Sequence, residues 1–436
     1  MEKLSHNESA TSFVSKFNTN AGNDVLDVDE SATQAVADVN ATFNGVAGTV
    51  GVSIDDNAED FADAINDNFR AMDDSGGTTT SVRFLHISDN HDSIDAIEEC
   101  GDMMDEDDSI SFTILTGDYS HQTAGISTEL RSSLENFGHE FLILTGNHDI
   151  KNSFANNQAN ATAFIKSIIH SDDVVFGDSN NVASYYYKDI ALSFSSKLRI
   201  IVMDSYDYRA GGTPANYDTF YTDSQMRWFV NLLKGLSGND YFIVAMHEPP
   251  INSTSTSVSM SSPEPGAAAK RRENKFCSAN LYEWDSSLSN GIICPIIIDA
   301  YQNSQHLKTR VNNVNSSSGV AVSDVAIDAD FTQGSKATFL FYLGGHLHGD
   351  MCAYHPSYPN QLILLVDDAN PSPLGSDSDI TSRTNGTLIN DVTVDFENRQ
   401  TVITRVGQKS AVAANGFPAL TRDTITFPFA RETNND

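Results

Sequence analysis

Phe141-Leu-Ile-Leu-Thr-Gly-Asn-His-Asp149 is an apolar run that ends abruptly in side chains able to bind a metal or move a proton. Consecutive apolar residues read as a strand buried on both faces, and Gly146 permits the sharp turn that follows. The same pattern recurs along the chain. Val82–Ile87 runs into Ser88-Asp-Asn-His91, Phe112–Leu115 into Thr116-Gly-Asp118, Tyr241–Met246 into His247, and Ala337–Leu343 into Gly344-Gly-His-Leu-His348. A further run, Arg199–Met203, and helical stretches such as Ser224–Leu233 lie between them. Apolar strands alternating with helices predict an α/β fold with sheets covered on both faces. Ligands in such sheets gather at the carboxyl ends of the strands, where these Asp, Asn and His residues fall. Asp89 and His91, two apart on extended backbone, point to one side, as do His346 and His348.

Each element alone is weak, because a Gly-Asp or Gly-Asn pair is commonly a turn. The ordered set of five is specific. In that order the blocks resemble those of the calcineurin-like metallophosphoesterase superfamily, over roughly residues 82 to 408. The resemblance implies a four-layer α/β/β/α sandwich carrying a two-metal centre. It places Asp89, His91 and His348 on one metal, Asn147, His247 and His346 on the other, and Asp118 between them. It makes His148 the catalytic histidine, with Asp149 orienting it. The helix containing Gln225 and Trp228 is similar to one in the phosphatase branches. One position departs: purple acid phosphatases carry a metal-binding Tyr three residues after the bridging Asp, and His121 stands there. A tyrosinate-coupled site is therefore not expected.

Imidazole, carboxylate and amide oxygen without thiolate suit divalent Mn, Fe or Zn. Two such ions, roughly 3.5–4 Å apart, clamp phosphoryl oxygens and acidify a bridging water, whose hydroxide attacks phosphorus in line. His148 is the candidate acid for the leaving group. The expected activity is hydrolysis of a phosphate monoester or diester, with no covalent enzyme intermediate.

The chain has 436 residues, and its 59 acidic against 26 basic side chains give a formal charge of -33. With 39 % hydrophobic residues it can bury a core. Such charge argues against extended binding of nucleic acid or an anionic membrane, both of which need a basic face. It also disfavours phosphorylated substrates unless a local positive centre overrides it, which two divalent ions would supply. A nuclease, cleaving nucleic-acid diesters at the same site, is correspondingly disfavoured. Apolar stretches such as Ile292–Ile298 fall short of the ~20 residues of a spanning helix, and the N-terminus lacks a signal-peptide apolar region. A cytoplasmic location is expected, with a phage particle or non-classical release as alternatives. Cys100, Cys277, Cys294 and Cys352 form no C-x-x-C pair and read as reduced thiols, with a Cys277–Cys294 disulfide left open.

Residues 1–80 form a separate accessory module and linker, and 81–436 the phosphoesterase domain. A short pattern occurs three times, at Glu8–Asn18, Glu30–Asn40 and Asp56–Asn66. Each copy starts with an acid and a capping residue, followed by apolar residues four apart: Phe13/Phe17, Ala35/Val39 and Phe61/Ile65. Short strands at Val25–Val28 and Val50–Ile54 separate these helices, giving a small α/β repeat module. It resembles N-terminal modules on prophage-associated proteins of gut bacteria. It reads as a solubilising extension or as a module that binds a protein partner or self-associates.

A long insertion, about 250–335, separates His247 from His346 and would wall the substrate cleft. Its basic cluster Lys270-Arg-Arg272, together with Arg209 and His121, supplies candidate contacts to phosphate or the leaving group. A reading of another class competes: a phage-tail or cell-surface structural protein whose phosphoesterase domain is a relic or binding platform. Retention of seven presumptive ligands and the His148-Asp149 pair argues for the enzyme.

Overall fold

Strands that are apolar on both faces need a covering layer on each side, and the chain supplies two sheets and flanking helices to do this. The structure, a computed structural model, describes residues 79–121, 125–155, 157–171, 173–177, 184–193, 196–207, 221–250, 259–261, 268–270, 283–284, 288–289, 293–311, 325–346, 351–355, 358, 360–366, 388–407 and 424–429, with the isolated positions 36, 39, 40 and 65. The chain divides into two units, residues 1–80 with Ile190–Leu198, and Ser81–Asp189 with Arg199–Asp436. In the first unit Val36, Val39, Asn40 and Ile65 are helical, at positions within the second and third sequence repeats, and Val39 and Ile65 are buried. The other elements expected before residue 79 lie outside the described residues.

In the second unit the first sheet is built from β1 (Ser81–Ile87), β2 (Ile110–Leu115) and β3 (Phe141–Ile143). The second sheet takes β4 (Val174–Phe176), β5 (Tyr186–Ser193), β6 (Ser196–Val202), β7 (Tyr241–Ala245), β8 (Thr338–Gly344), β9 (Met351–Tyr354) and β10 (Leu362–Leu365). The chain then returns to the first sheet with β11 (Leu388–Asp395), β12 (Gln400–Gly407) and β13 (Thr424–Pro428). The strand orders are β13-β12-β11-β1-β2-β3 and β9-β10-β8-β7-β6-β5-β4. The hairpin expected around 391–406 is the antiparallel pair β11–β12.

Register sets the positions of the site residues. In the parallel trio Ile87 pairs with Leu115 and Leu115 with Ile143. Asp89, Asp118 and Asn147 therefore emerge two to four residues beyond one aligned row. In the second sheet Ala245 pairs with Leu343, so His247 and His346 emerge together two and three residues further on. The two sheets face each other through contacts such as Phe341 with Phe427, 6.1 Å between ring centroids. The Tyr186 hydroxyl also spans them, bonding the backbone N–H and C=O of Ile143 at 3.0 Å each.

Helices α1 (Asp95–Glu106), α2 (Thr128–Glu135) and α3 (Gln158–Ile168) flank the first sheet. Thr113 on β2 donates to Met104 Sδ of α1 at 3.4 Å. Helix α4 (Asp223–Lys234) starts where Thr222 accepts the N–H of Gln225, with Asp223 in its first turn and Lys234 in its last. Its Met226, Phe229, Val230 and Leu233 recur at helical spacing and pack on Ile201 and Val244 of the second sheet. Each such burial contributes about 1.5–3 kcal/mol.

Part of the expected insertion belongs to this outer layer. Helix α5 (Ile293–Gln302) buries Ile297, Ile298 and Tyr301 in the same cluster, and the hairpin of His306–Val311 with Val325–Asp330 adds Val325, Ile327 and Ala329. The described residues 293–311 and 325–330 thus add to the core, with the buried apolar side chains of this segment packed in the cluster on the second sheet. Two further short hairpins join Ser259–Ser261 to Ala268–Lys270 and Glu283–Trp284 to Leu288–Ser289. Cys100, Cys294 and Cys352 are buried thiols. Among the described residues no helix is long and apolar enough to cross a membrane.

Candidate metal centre

The loops beyond the strands keep pairing past the sheet edge. The amides of Asp89 and His91 donate to Gly117 O and Asp118 O, each at 3.0 Å, and Gly345 N donates to His247 O at 3.0 Å. This forces left-handed backbone at Asp89 (φ 55°), His91 (46°), Asp118 (52°) and His346 (69°). Non-glycine residues pay in strain for that conformation, and strain persists where surrounding structure over-determines it, often at functional sites.

Two buried groups result, Asp89 with His91 and Asp118, and Asp118 with His247 and His346; within each, ligand atoms lie within 4.8 Å of one another. Asp118 is common to both. Asn147 Oδ1 lies 3.1 Å from His247 Nε2 and 2.9 Å from His346 Nδ1. His247 Nδ1 is 2.7 Å from the Thr116 carbonyl, which can only accept, so Nδ1 carries a proton and Nε2 faces the site. His346 is turned the other way, with Nδ1 facing inward.

Chemically this donor set fits divalent ions. It holds carboxylate, imidazole and amide oxygen and no thiolate, and Asp118 Oδ2 is buried without a hydrogen-bond donor. That oxygen sits 3.3 Å from His247 Nε2. Burial opposes a charge on His247, yet Asp118 and Asp89 outweigh it and raise its pKa to about 10. Burial likewise opposes ionisation of Asp118, but His247, His148 and His91 hold it well below the usual carboxylate range. The pocket thus favours positive charge, which a divalent ion would supply.

Glycine makes the close approach possible. A Cβ on Gly345 would overlap Ser88 Oγ and Asp89 Oδ2, and one on Gly146 would overlap the Asp118 carboxylate.

His148 is partly buried at the rim, and its N–H donates to Asp118 Oδ1 at 2.8 Å. Its ring is 5.0 Å from that of His91 and 4.6 Å from that of His121. The exposed His121 is held by Asp92, which accepts its backbone N–H at 3.1 Å and the Ser120 hydroxyl at 2.9 Å. The three imidazoles form a path from the buried His91 to solvent.

Asp149 sits among the loop amides. Its carboxylate accepts the backbone N–H groups of Gly146 at 2.7 Å, Asp118 at 2.8 Å and Ser120 at 2.9 Å. Both oxygens thus accept loop amides, and Asp149 ties the Asp118 loop to the turn that carries His148. A π-helical turn, Asp149–Ser153, follows directly. Such turns are frequent at functional sites.

His348, Arg209, Arg271 and Arg272 lie outside the described residues, and Lys270 is described only as the end of a short strand. Sequence reasoning missed Glu248 and Tyr206. Glu248 is buried and its Oε1 lies 3.6 Å from His346 Nε2. The Tyr206 hydroxyl donates to the same oxygen at 2.9 Å. The available signal was an acid directly after His247 in a turn that is otherwise apolar, Met246-His-Glu-Pro-Pro250.

Residues 82–278 match the calcineurin-like phosphoesterase family. The match includes every ligand candidate up to His247 and ends before His346, which reaches the site through the β7–β8 pairing. No protein of curated function matches the chain significantly. Among solved structures, a conserved uncharacterized protein of Streptococcus pneumoniae, a predicted phosphoesterase, is 9% identical and aligns over 80% of this chain and 98% of its own, with a TM-score of 0.26. A hypothetical protein from Thermus thermophilus is also 9% identical, over 80% and 100%, with a TM-score of 0.30. Phosphoester hydrolysis is supported by the family match together with groups of residues suited to metal.

Proposed function

We propose that this chain is a metal-dependent phosphoesterase with two divalent ions. Asp89 and His91, with His348, would hold one ion; Asn147, His247 and His346 would hold the other; Asp118 would serve both. The observation that carries this reading is the pair of ligand groups that share Asp118. Bound there, the ions would offset charge on the phosphoryl oxygens and acidify the attacking water.

The protein's own groups do the rest. Asp149 and the left-handed loops preorganise Asp118 and His148 before substrate arrives, so little reorganisation is needed during reaction. His148, partly buried, next in the chain to Asn147 and with its ring 5.0 Å from that of His91, donates a proton to the leaving oxygen. His121, exposed and stacked on His148, offers an N–H to the ester's remaining oxygens or its leaving group. Lys270, Arg271, Arg272 and Arg209 are the further candidates for substrate contact.

Since no side chain needs to carry the phosphoryl group, the reaction proceeds in one displacement with inversion at phosphorus. A chiral phosphorothioate ester tests this, with Asp118→Asn as the inactive control. Inversion supports the reading, and net retention would contradict it. A panel of p-nitrophenyl phosphate, bis-p-nitrophenyl phosphate, nucleotides and glycerophosphodiesters then separates monoesterase from diesterase activity.

A further inference from the structure

The two inward-facing histidines of the second ligand set are held by different devices. His247 is fixed by a backbone carbonyl, Thr116 O, at 2.7 Å. Behind His346 stands a carboxylate: Glu248 Oε1, 3.6 Å from Nε2, with both side chains only 3 % exposed. Nδ1 of the same ring points to Asn147 Oδ1 at 2.9 Å, so the Glu248 side faces away from the ligand atoms.

Glu248 is in turn anchored. Tyr206, fully buried, donates its hydroxyl to Oε1 at 2.9 Å and its backbone N–H to Asp204 Oδ1 at 2.8 Å. Asp204 is clamped to helix α4, where its N–H donates to Gln225 Oε1 at 2.9 Å and its carbonyl accepts from Gln225 Nε2 at 3.0 Å. A continuous polar chain thus runs from α4 through Asp204, Tyr206 and Glu248 to His346.

We propose that Glu248, held by Tyr206, is a positioning residue that fixes His346 with Nε2 protonated and Nδ1 as the ligand atom for the second ion. This rests on the two-metal reading given above. A carboxylate behind a ligating imidazole sets its tautomer and raises its basicity, and loss of such a partner typically weakens metal binding 10–100-fold. Asp89 of the first ligand set meets His346 at its backbone N–H, whereas Glu248 stands behind the ring, so the effect falls chiefly on the ion that the ring would bind.

The test is calorimetric titration of metal-stripped full-length protein with Mn²⁺ alone. Glu248→Ala weakens one of the two binding events about 10–100-fold and leaves the other unchanged. Glu248→Gln, which keeps an acceptor oxygen facing Nε2, recovers part of the loss, and Tyr206→Phe shows a smaller loss at the same site. Two wild-type binding events in Glu248→Ala overturn the inference. Equal weakening of both events also overturns it, because that marks a general structural defect. Should Glu248→Ala fail to unfold cooperatively, unchanged binding in both Glu248→Gln and Tyr206→Phe overturns it instead. A wild-type protein that takes up no Mn²⁺ overturns the two-metal reading itself, and this inference with it.

Discussion

The backbone N–H of His346 donates to Asp89 Oδ2 at 2.9 Å, tying the loop after β8 in one sheet to the loop after β1 in the other. The two residues are 257 positions apart in the chain. This bond holds the two ligand groups at one spacing, and it exists only because residue 345 lacks a side chain. Gly345→Ala should push the loops apart at an overpacking cost of about 1–3 kcal/mol. Urea unfolding of the metal-free protein measures that loss. Unchanged stability with unchanged metal uptake would show that the approach is looser than described.

Asp149→Asn tests the role of the buried carboxylate. The amide turns one acceptor into a donor facing backbone N–H groups, so about 1–3 kcal/mol of stability should be lost for the group left unsatisfied. Activity should fall while the pH–rate profile keeps its shape, since both Asp149 oxygens are engaged by backbone N–H groups. A displaced limb in that profile would restore the orienting role expected from sequence.

Much of the site was legible because each chemical residue directly follows the apolar run that positions it. Val82–Ile87 announces Asp89, and Phe141–Leu144 announces Asn147. What was hidden depends on contacts between distant segments. Asp149 reads as the partner of its neighbour His148, but three amides surround it, two from a loop about thirty residues earlier. Glu248 acquires meaning only beside Tyr206 and His346. That Ile297, Ile298, Val325 and Ile327 join the core on the second sheet was likewise hidden, because length between motifs says nothing about which face apolar residues find.

The imidazole pair at the rim makes separable predictions. His148→Ala should lower kcat about 10²–10⁴-fold, more for alkyl phosphates than for p-nitrophenyl esters, whose leaving group needs no proton. His121→Ala should raise KM with little change in kcat, as expected for a group that binds ground state and transition state alike. Steady-state kinetics on the two ester types distinguishes them. Equal losses on both esters in His148→Ala would remove its acid role.

Asp204 gives the metal-free fold a pH dependence. Burial, then the neighbouring Asp207, raises its pKa from the ordinary 3.8 to about 7. The folded state therefore binds this proton more tightly than the unfolded chain. Its contribution is complete below about pH 4 and is lost as pH rises through 7, up to roughly 4 kcal/mol. Chemical denaturation between pH 4 and 8 should show that decline, and Asp204→Asn should flatten it. Parallel curves for the two proteins would place the titration elsewhere.

The two-metal claim is tested most directly by adding Mn²⁺ in steps to metal-stripped protein while following hydrolysis of p-nitrophenyl and bis-p-nitrophenyl phosphate. Hydrolysis of at least one ester should be absent at the start and reach its plateau at two ions per chain. Hydrolysis that is complete at one ion or needs none, or full occupancy with neither ester cleaved, would contradict it.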